Sequence, residues 1–130
     1  MIVLPLVALA LGVIIALMLQ LGPVSGLAGF YVGLACLAGL DTVCGGVRSG
    51  VEGKFSTDVF LTGFVSNVVI AFFLAWLGDQ IGINLFLAAV LVMGSRIFTN
   101  LSLIRRMMLT KWRDARERRR LLEQSQSSQS

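Results

Sequence analysis

Four apolar stretches, each close to 20 residues long, dominate this chain: Ile2 to Leu21, Leu27 to Val47, Thr57 to about Leu77, and Ile83 to Ile104. A helix of about 20 apolar residues rises roughly 30 Å, the thickness of a bilayer's hydrocarbon core. In that medium the backbone must satisfy its own hydrogen bonds, which leaves helices or a closed barrel. The runs are too long and too continuous for barrel strands. With 56% hydrophobic and only 14% charged residues among 130, a single domain cannot hide its apolar side chains from water. The expected fold is an all-α membrane protein, a four-helix transmembrane bundle. Residues 1–104 form the membrane domain, 105–123 a basic amphipathic cytoplasmic helix and 124–130 a disordered Ser/Gln tail.

The N-terminal run has no Lys or Arg before it and no clear small-residue cleavage site, so it is expected to stay attached as the first span. Gly22-Pro23-Val24-Ser25-Gly26 and Gly78-Asp79-Gln80-Ile81-Gly82 read as tight turns. Gly45 and Gly46 weaken the end of the second span, and residues 48–56 read as a polar link along the interface. Thr57-Asp58 reads as a helix start.

Orientation follows from the cations. The first and third links carry no Lys or Arg, whereas Arg48 and Lys54 flank the second. Eight of the eleven basic residues lie from Arg105 onward. By the positive-inside rule the second link and the tail are cytoplasmic, so both termini are cytoplasmic. Four spans satisfy that alternation; three or five do not.

Inside the runs, ionisable groups are costly and call for partners. Asp41 is the only carboxylate in the twenty-odd residues before Arg48, and Arg96 is the one cation similarly placed. Counted from the cytoplasmic ends, Asp41 lies roughly 10 Å deep, Asn67 and Arg96 roughly 13 Å, and Asn100 roughly 7 Å. Three spans thus place polar groups at similar depth. The expected arrangement is a buried Asp41–Arg96 ion pair, with Asn67 and Asn100 completing its hydrogen bonds. A site for an ion or small polar solute is the other reading.

Gly29 and Gly33 form a GxxxG pair, and Ala35 with Gly39 repeats the spacing; such small residues let helices pack closely, within one subunit or across a dimer. Gly45, Gly46 and Arg48 form the helix end or an interface. Arg105, Arg106, Lys111, Trp112, Arg113 and Arg116 follow an apolar span directly. That position favours anionic headgroups, or an acidic partner helix, over nucleic acid. Cys36 and Cys44 are too far apart on one helix for a disulfide, and without histidine no metal or redox site is expected. No cofactor is implied, and no nucleophile motif or phosphate loop points to an enzyme.

Several segments together resemble the small basic protein family of bacterial membranes. They are Leu40-Asp41-Thr42 with Gly45-Gly46-Val47-Arg48; Val59-Phe60 through Phe64 and Ser66-Asn67; Leu77-Gly78 with Ile81-Gly82; Arg96-Ile97-Phe98-Thr99-Asn100; Ile104-Arg105-Arg106; and Leu109-Thr110-Lys111-Trp112. The resemblance covers about residues 6–112 and leaves out the arginine-rich tail. It implies a location in the bacterial cytoplasmic (inner) membrane and a cell-division or envelope context, not an activity. The function expected is a non-enzymatic scaffold or assembly partner, with other membrane or cytoplasmic proteins as partners and homo-oligomerisation open. The alternative is a small subunit of an oligomeric transporter or channel, with its polar site around Asp41 and Arg96.

Overall fold

The computed structural model describes residues 3–19, 22, 23 and 25–128. They form four helices and no strand: α1 (Val3–Met18), α2 (Leu27–Val51), α3 (Thr57–Ile81) and α4 (Leu85–Ser127). The expected outer ends of the first span, Ile2, Gln20 and Leu21, and the turn residue Val24 lie outside the described residues, as do Gln129 and Ser130. Three helices, α2, α3 and α4, are long and apolar enough to cross a membrane. At 16 residues α1 is shorter.

Helices α2, α3 and α4 pack on one another, and α1 leans on α2 alone. The core is built from small side chains: Leu34, Ala38, Ala71, Ala75, Ala89 and Met93 are buried. Alanine at these points lets the helix backbones approach closely. Around the core, Tyr31 meets the Phe72 ring edge-on at 5.3 Å, and Phe30 meets Phe86 at 5.2 Å. Large apolar side chains on every helix point outward, including Val59, Val65, Val69, Phe73, Leu87, Leu91 and Phe98. A water-soluble monomer seldom leaves so much apolar surface uncovered.

The structure moves several boundaries. α2 does not end at the Gly45-Gly46 doublet but continues to Val51. The doublet is instead a place of close approach. A Cβ on Gly46 would stand 2.8 Å from the Phe60 ring and 3.0 Å from Pro5, itself fully buried. The helix pays a propensity cost there so that α1 and α3 can close on α2. The link between α2 and α3 shrinks accordingly to residues 52–56.

α3 starts at Thr57 with Ser56 in the cap position and no side-chain capping bond. It runs on to Ile81, so only Gly82 of the expected second turn lies beyond it. Gly82 is left-handed at φ 69°, and Ile83 N–H donates to the Gly78 carbonyl at 3.1 Å. That pairing is the usual way a helix C-terminus satisfies its last carbonyls. The chain then folds back so tightly that a Cβ on Gly78 would lie 2.6 Å from the Ile83 oxygen.

α4 begins at Leu85 rather than Ile83, capped by the Asn84 side chain, which accepts from Leu87 N–H at 3.3 Å. No break separates the apolar stretch from the basic one. One helix of 43 residues runs through both and carries on to Ser127, past the Glu123 boundary where the tail was expected to become disordered. Every buried residue of α4 lies at or before Asn100.

The small-residue seam also differs from expectation. Gly39 faces the Phe64 ring, with an added Cβ at 3.5 Å, but Gly33 looks into open space. Gly29 and Ala35 are half-buried. The buried stripe of α2 is displaced from the GxxxG pair and runs Leu34, Ala38, Asp41, Thr42, Cys44 and Gly46.

Candidate functional site

Where α2 nears its C-terminus, its buried stripe turns from apolar to polar. The side chain of Asp41 is fully buried. Arg96 Nη2 of α4 lies 3.3 Å from Asp41 Oδ2, and Asn67 Nδ2 of α3 donates to the same oxygen at 2.9 Å. Three helices therefore converge on one carboxylate oxygen. Asn67 also reaches Thr42 Oγ1 at 3.4 Å, while the Thr42 hydroxyl donates to the Ala38 carbonyl at 2.8 Å.

The pair is asymmetric. The Arg96 side chain is 54% exposed, against 0% for Asp41. The α4 face that packs inward carries Ala89, Met93, Ile97 and Asn100, and Arg96 sits at its edge, reaching around to the acid. With Arg96 half exposed, the pair is worth less than a fully buried one. The second Asp41 oxygen, Oδ1, is buried and has no hydrogen-bond partner. An orphaned buried acceptor typically costs about 1–3 kcal/mol.

Asn100 does not join this cluster. It is buried one turn further along α4 and accepts from Arg48 Nη1 at 3.3 Å. Arg48 in turn donates through Nε to Glu52 Oε1 at 3.0 Å. The physical reason is the continuation of α2. Once the helix runs through Gly45-Gly46, Arg48 lies on the same face as Asp41, two turns on, and stands opposite Asn100. The i,i+4 spacing of Arg48 and Glu52 is legible in the sequence. It loses its meaning if the chain is read as a link from residue 48.

Lys111 also has a role that composition does not reveal. Its ammonium donates to the Val51 carbonyl at 2.6 Å, satisfying one of the orphan carbonyls at the end of α2. The residue is otherwise exposed. Arg105, Arg106, Trp112, Arg113 and Arg116 are all exposed. Arg116 stacks over the Trp112 ring at 5.4 Å.

Two clefts flank Arg96. One, of about 220 Å³, lies between α2, α3 and the 52–56 link, with Asp41, Ser49, Lys54, Phe60 and Asn67 among its walls. The other is lined by Arg48, Glu52, Ser95, Thr99 and Asn100. Neither reaches the core residues Leu34, Ala71 or Ala75. Cys36 and Cys44 are free, and no group of three or more metal-ligating side chains occurs among the described residues.

The class defined is a small all-helical protein with three helices long and apolar enough to span a membrane, knit at one end by a polar cluster. The chain belongs to the family described as protein of unknown function DUF1290, whose model matches residues 24–109. A Bacillus subtilis protein named "Small basic protein" is 43% identical over 109 residues, covering 84% of this chain and 89% of the relative. An uncharacterised protein of Mycobacterium tuberculosis is 39% identical over 101 residues, covering 76% and 83%. No solved structure matches significantly. The matched region holds both polar clusters and stops before most of the arginine-rich end of α4.

Proposed function

We propose that this protein is a non-enzymatic scaffold of the bacterial cytoplasmic membrane, an assembly partner in a cell-division or envelope complex. It crosses the membrane four times, with both termini cytoplasmic and α1 as the first crossing. The observation that carries this reading is the basic extension of α4. Beyond Asn100 only Leu103, Ile104 and Met107 are even half-buried, yet this stretch holds eight of the eleven basic residues in one continuous element. Such an extension presents charge to anionic headgroups or to an acidic partner helix. The outward-facing apolar side chains of α1 to α4 suit lipid tails.

The transporter reading needs a wet path through the bundle. Against it stand Leu34, Ala38 and Ala71, all at 0% exposure, which close the interior beyond the polar cluster. The division or envelope context rests on the family resemblance. The test is photo-crosslinking from single positions across residues 105–123 in the native host. Crosslinks to discrete proteins, repeating with helical periodicity and abolished by reversing Arg113 and Arg116 to Glu, support the scaffold. Crosslinks to lipid alone overturn it.

A further inference from the structure

We propose that the cleft between α2, α3 and the 52–56 link holds the headgroup of one anionic glycerophospholipid, a phosphodiester carrying a hydroxyl donor beyond its phosphate. The inference rests on the membrane reading above and names a ligand for the polar cluster at this end of the bundle.

Three observations converge. The first is charge. The charged side chains lining the cleft are Asp41, Lys54 and Arg96, one acid against two cations. The excess is a single positive charge, which a phosphodiester monoanion matches. Lys54 is exposed and takes part in neither of the two ion pairs among the described residues. Arg96 uses one edge on Asp41 and keeps half its surface open. Both are free to meet phosphate oxygens.

The second is the orphaned acceptor. Asp41 lines the cleft, and its Oδ1 is buried without a partner. The phosphodiester itself, an acceptor only, gives this oxygen nothing. A headgroup with a hydroxyl beyond the phosphate carries the donor that Oδ1 lacks; the Asp41 side chain is at 0% exposure, so the carboxylate must turn toward the cleft to meet it. Ser49 and Ser56 add hydroxyls to the same lining.

The third is the shape and polarity of the walls. At about 220 Å³ the space exceeds what one or two ordered waters need. Phe55, Val59 and Phe60 make one side apolar, and Val59 is exposed at the rim. A lipid seated there has its phosphate among the cations and its apolar part against Phe55, Val59 and Phe60. A phosphoethanolamine headgroup also carries a donor. Its ammonium adds a positive charge to a cleft already positive, so it fits less well.

The experiment uses the full chain, delipidated in detergent and then offered phosphatidylglycerol and phosphatidylethanolamine at equal mole fraction, with retained lipid read by native mass spectrometry. Free glycerol phosphate is a separate arm. The expected result is at least fivefold preference for phosphatidylglycerol, reduced to near parity by Lys54→Gln and kept by Lys54→Arg. Gln80→Ala, exposed at the opposite end of the bundle, leaves the preference unchanged. Equal retention of the two lipids, or an unchanged preference in Lys54→Gln, overturns the proposal. Glycerol phosphate binding as tightly as the lipid overturns the lipid assignment. Alkaline carbonate extraction of cell membranes checks the embedding separately. Release of the protein into the supernatant rejects the membrane reading, whereas a membrane-retained protein without lipid preference rejects only the cleft.

Discussion

Adjacent glycines with opposite surroundings allow a sharp test of the packing. At Gly46 an added Cβ would stand 2.8 and 2.9 Å from the Phe60 ring and 3.0 Å from Pro5; at Gly45 it meets only Asn100 Nδ2, at 3.7 Å. Both positions are interior to α2. Alanine in place of glycine stabilises a helix interior by about 1 kcal/mol. Gly45→Ala should keep that gain. Gly46→Ala should offset or reverse it, because overpacking costs about 1–3 kcal/mol. Pro5 is fully buried and cannot retreat, whereas the half-buried Phe60 ring can swing outward, which argues for the middle of that range. The difference between the two variants is then about 2 kcal/mol, roughly thirtyfold in the unfolding equilibrium. SDS-induced unfolding in mixed micelles, followed by tryptophan fluorescence, reads the difference directly. Phe60→Leu in the Gly46→Ala background should recover much of the loss, since residues in contact couple by about 0.5–3 kcal/mol. Equal stability of the two alanine variants, within about 0.5 kcal/mol, would refute the close approach of α1, α2 and α3 at this point.

Other outcomes follow from the same geometry. Gly78→Ala drives a Cβ to 2.6 Å from the Ile83 backbone oxygen, so it should destabilise more than Gly46→Ala and lower membrane abundance on an immunoblot. Arg96→Gln leaves Asp41 held by Asn67 alone and should cost about 1–3 kcal/mol, below the figure for a fully buried pair because Arg96 is half exposed; adding Asp41→Asn should recover part of it, and a double variant less stable than Arg96→Gln contradicts the pairing. Lys111→Met removes the donor to the Val51 carbonyl and should cost about 1 kcal/mol, with faster amide exchange confined to the last turn of α2.

The convergence of α2, α3 and α4 was legible from spacing alone. Asp41, Asn67 and Arg96 stand at matching distances from the helix ends, and charged or amide groups in apolar runs need one another. Asn100 was misassigned because depth does not fix azimuth. It lies on the inward face of α4 but one turn beyond Arg96, where only an unbroken α2 supplies Arg48. The glycine doublet misled for a related reason. Propensity reads Gly45-Gly46 as a weak point, and only the tertiary neighbours Pro5 and Phe60 show why Gly46 lacks a side chain. Gly33 is the converse, a small residue in a packing motif with nothing above it. Lys111 and the orphaned Asp41 oxygen had no signature in the sequence: the first is a bond to a backbone carbonyl 60 positions away, the second the lack of a partner for one oxygen of a carboxylate whose other oxygen is paired.

The absence of any break in α4 has a mechanical corollary. From Asn100 to Ser127 the helix extends about 40 Å past its last buried residue, a long arm on the bundle. A tilt of about 10° at the pivot sweeps the far tip through roughly 7 Å. The two fastenings beside the pivot, Arg96 on Asp41 and Asn100 on Arg48, set the angle at rest, and Lys111 props the arm one step further out. A force applied at the arginine-rich tip would therefore act, with mechanical advantage, on the polar contacts within.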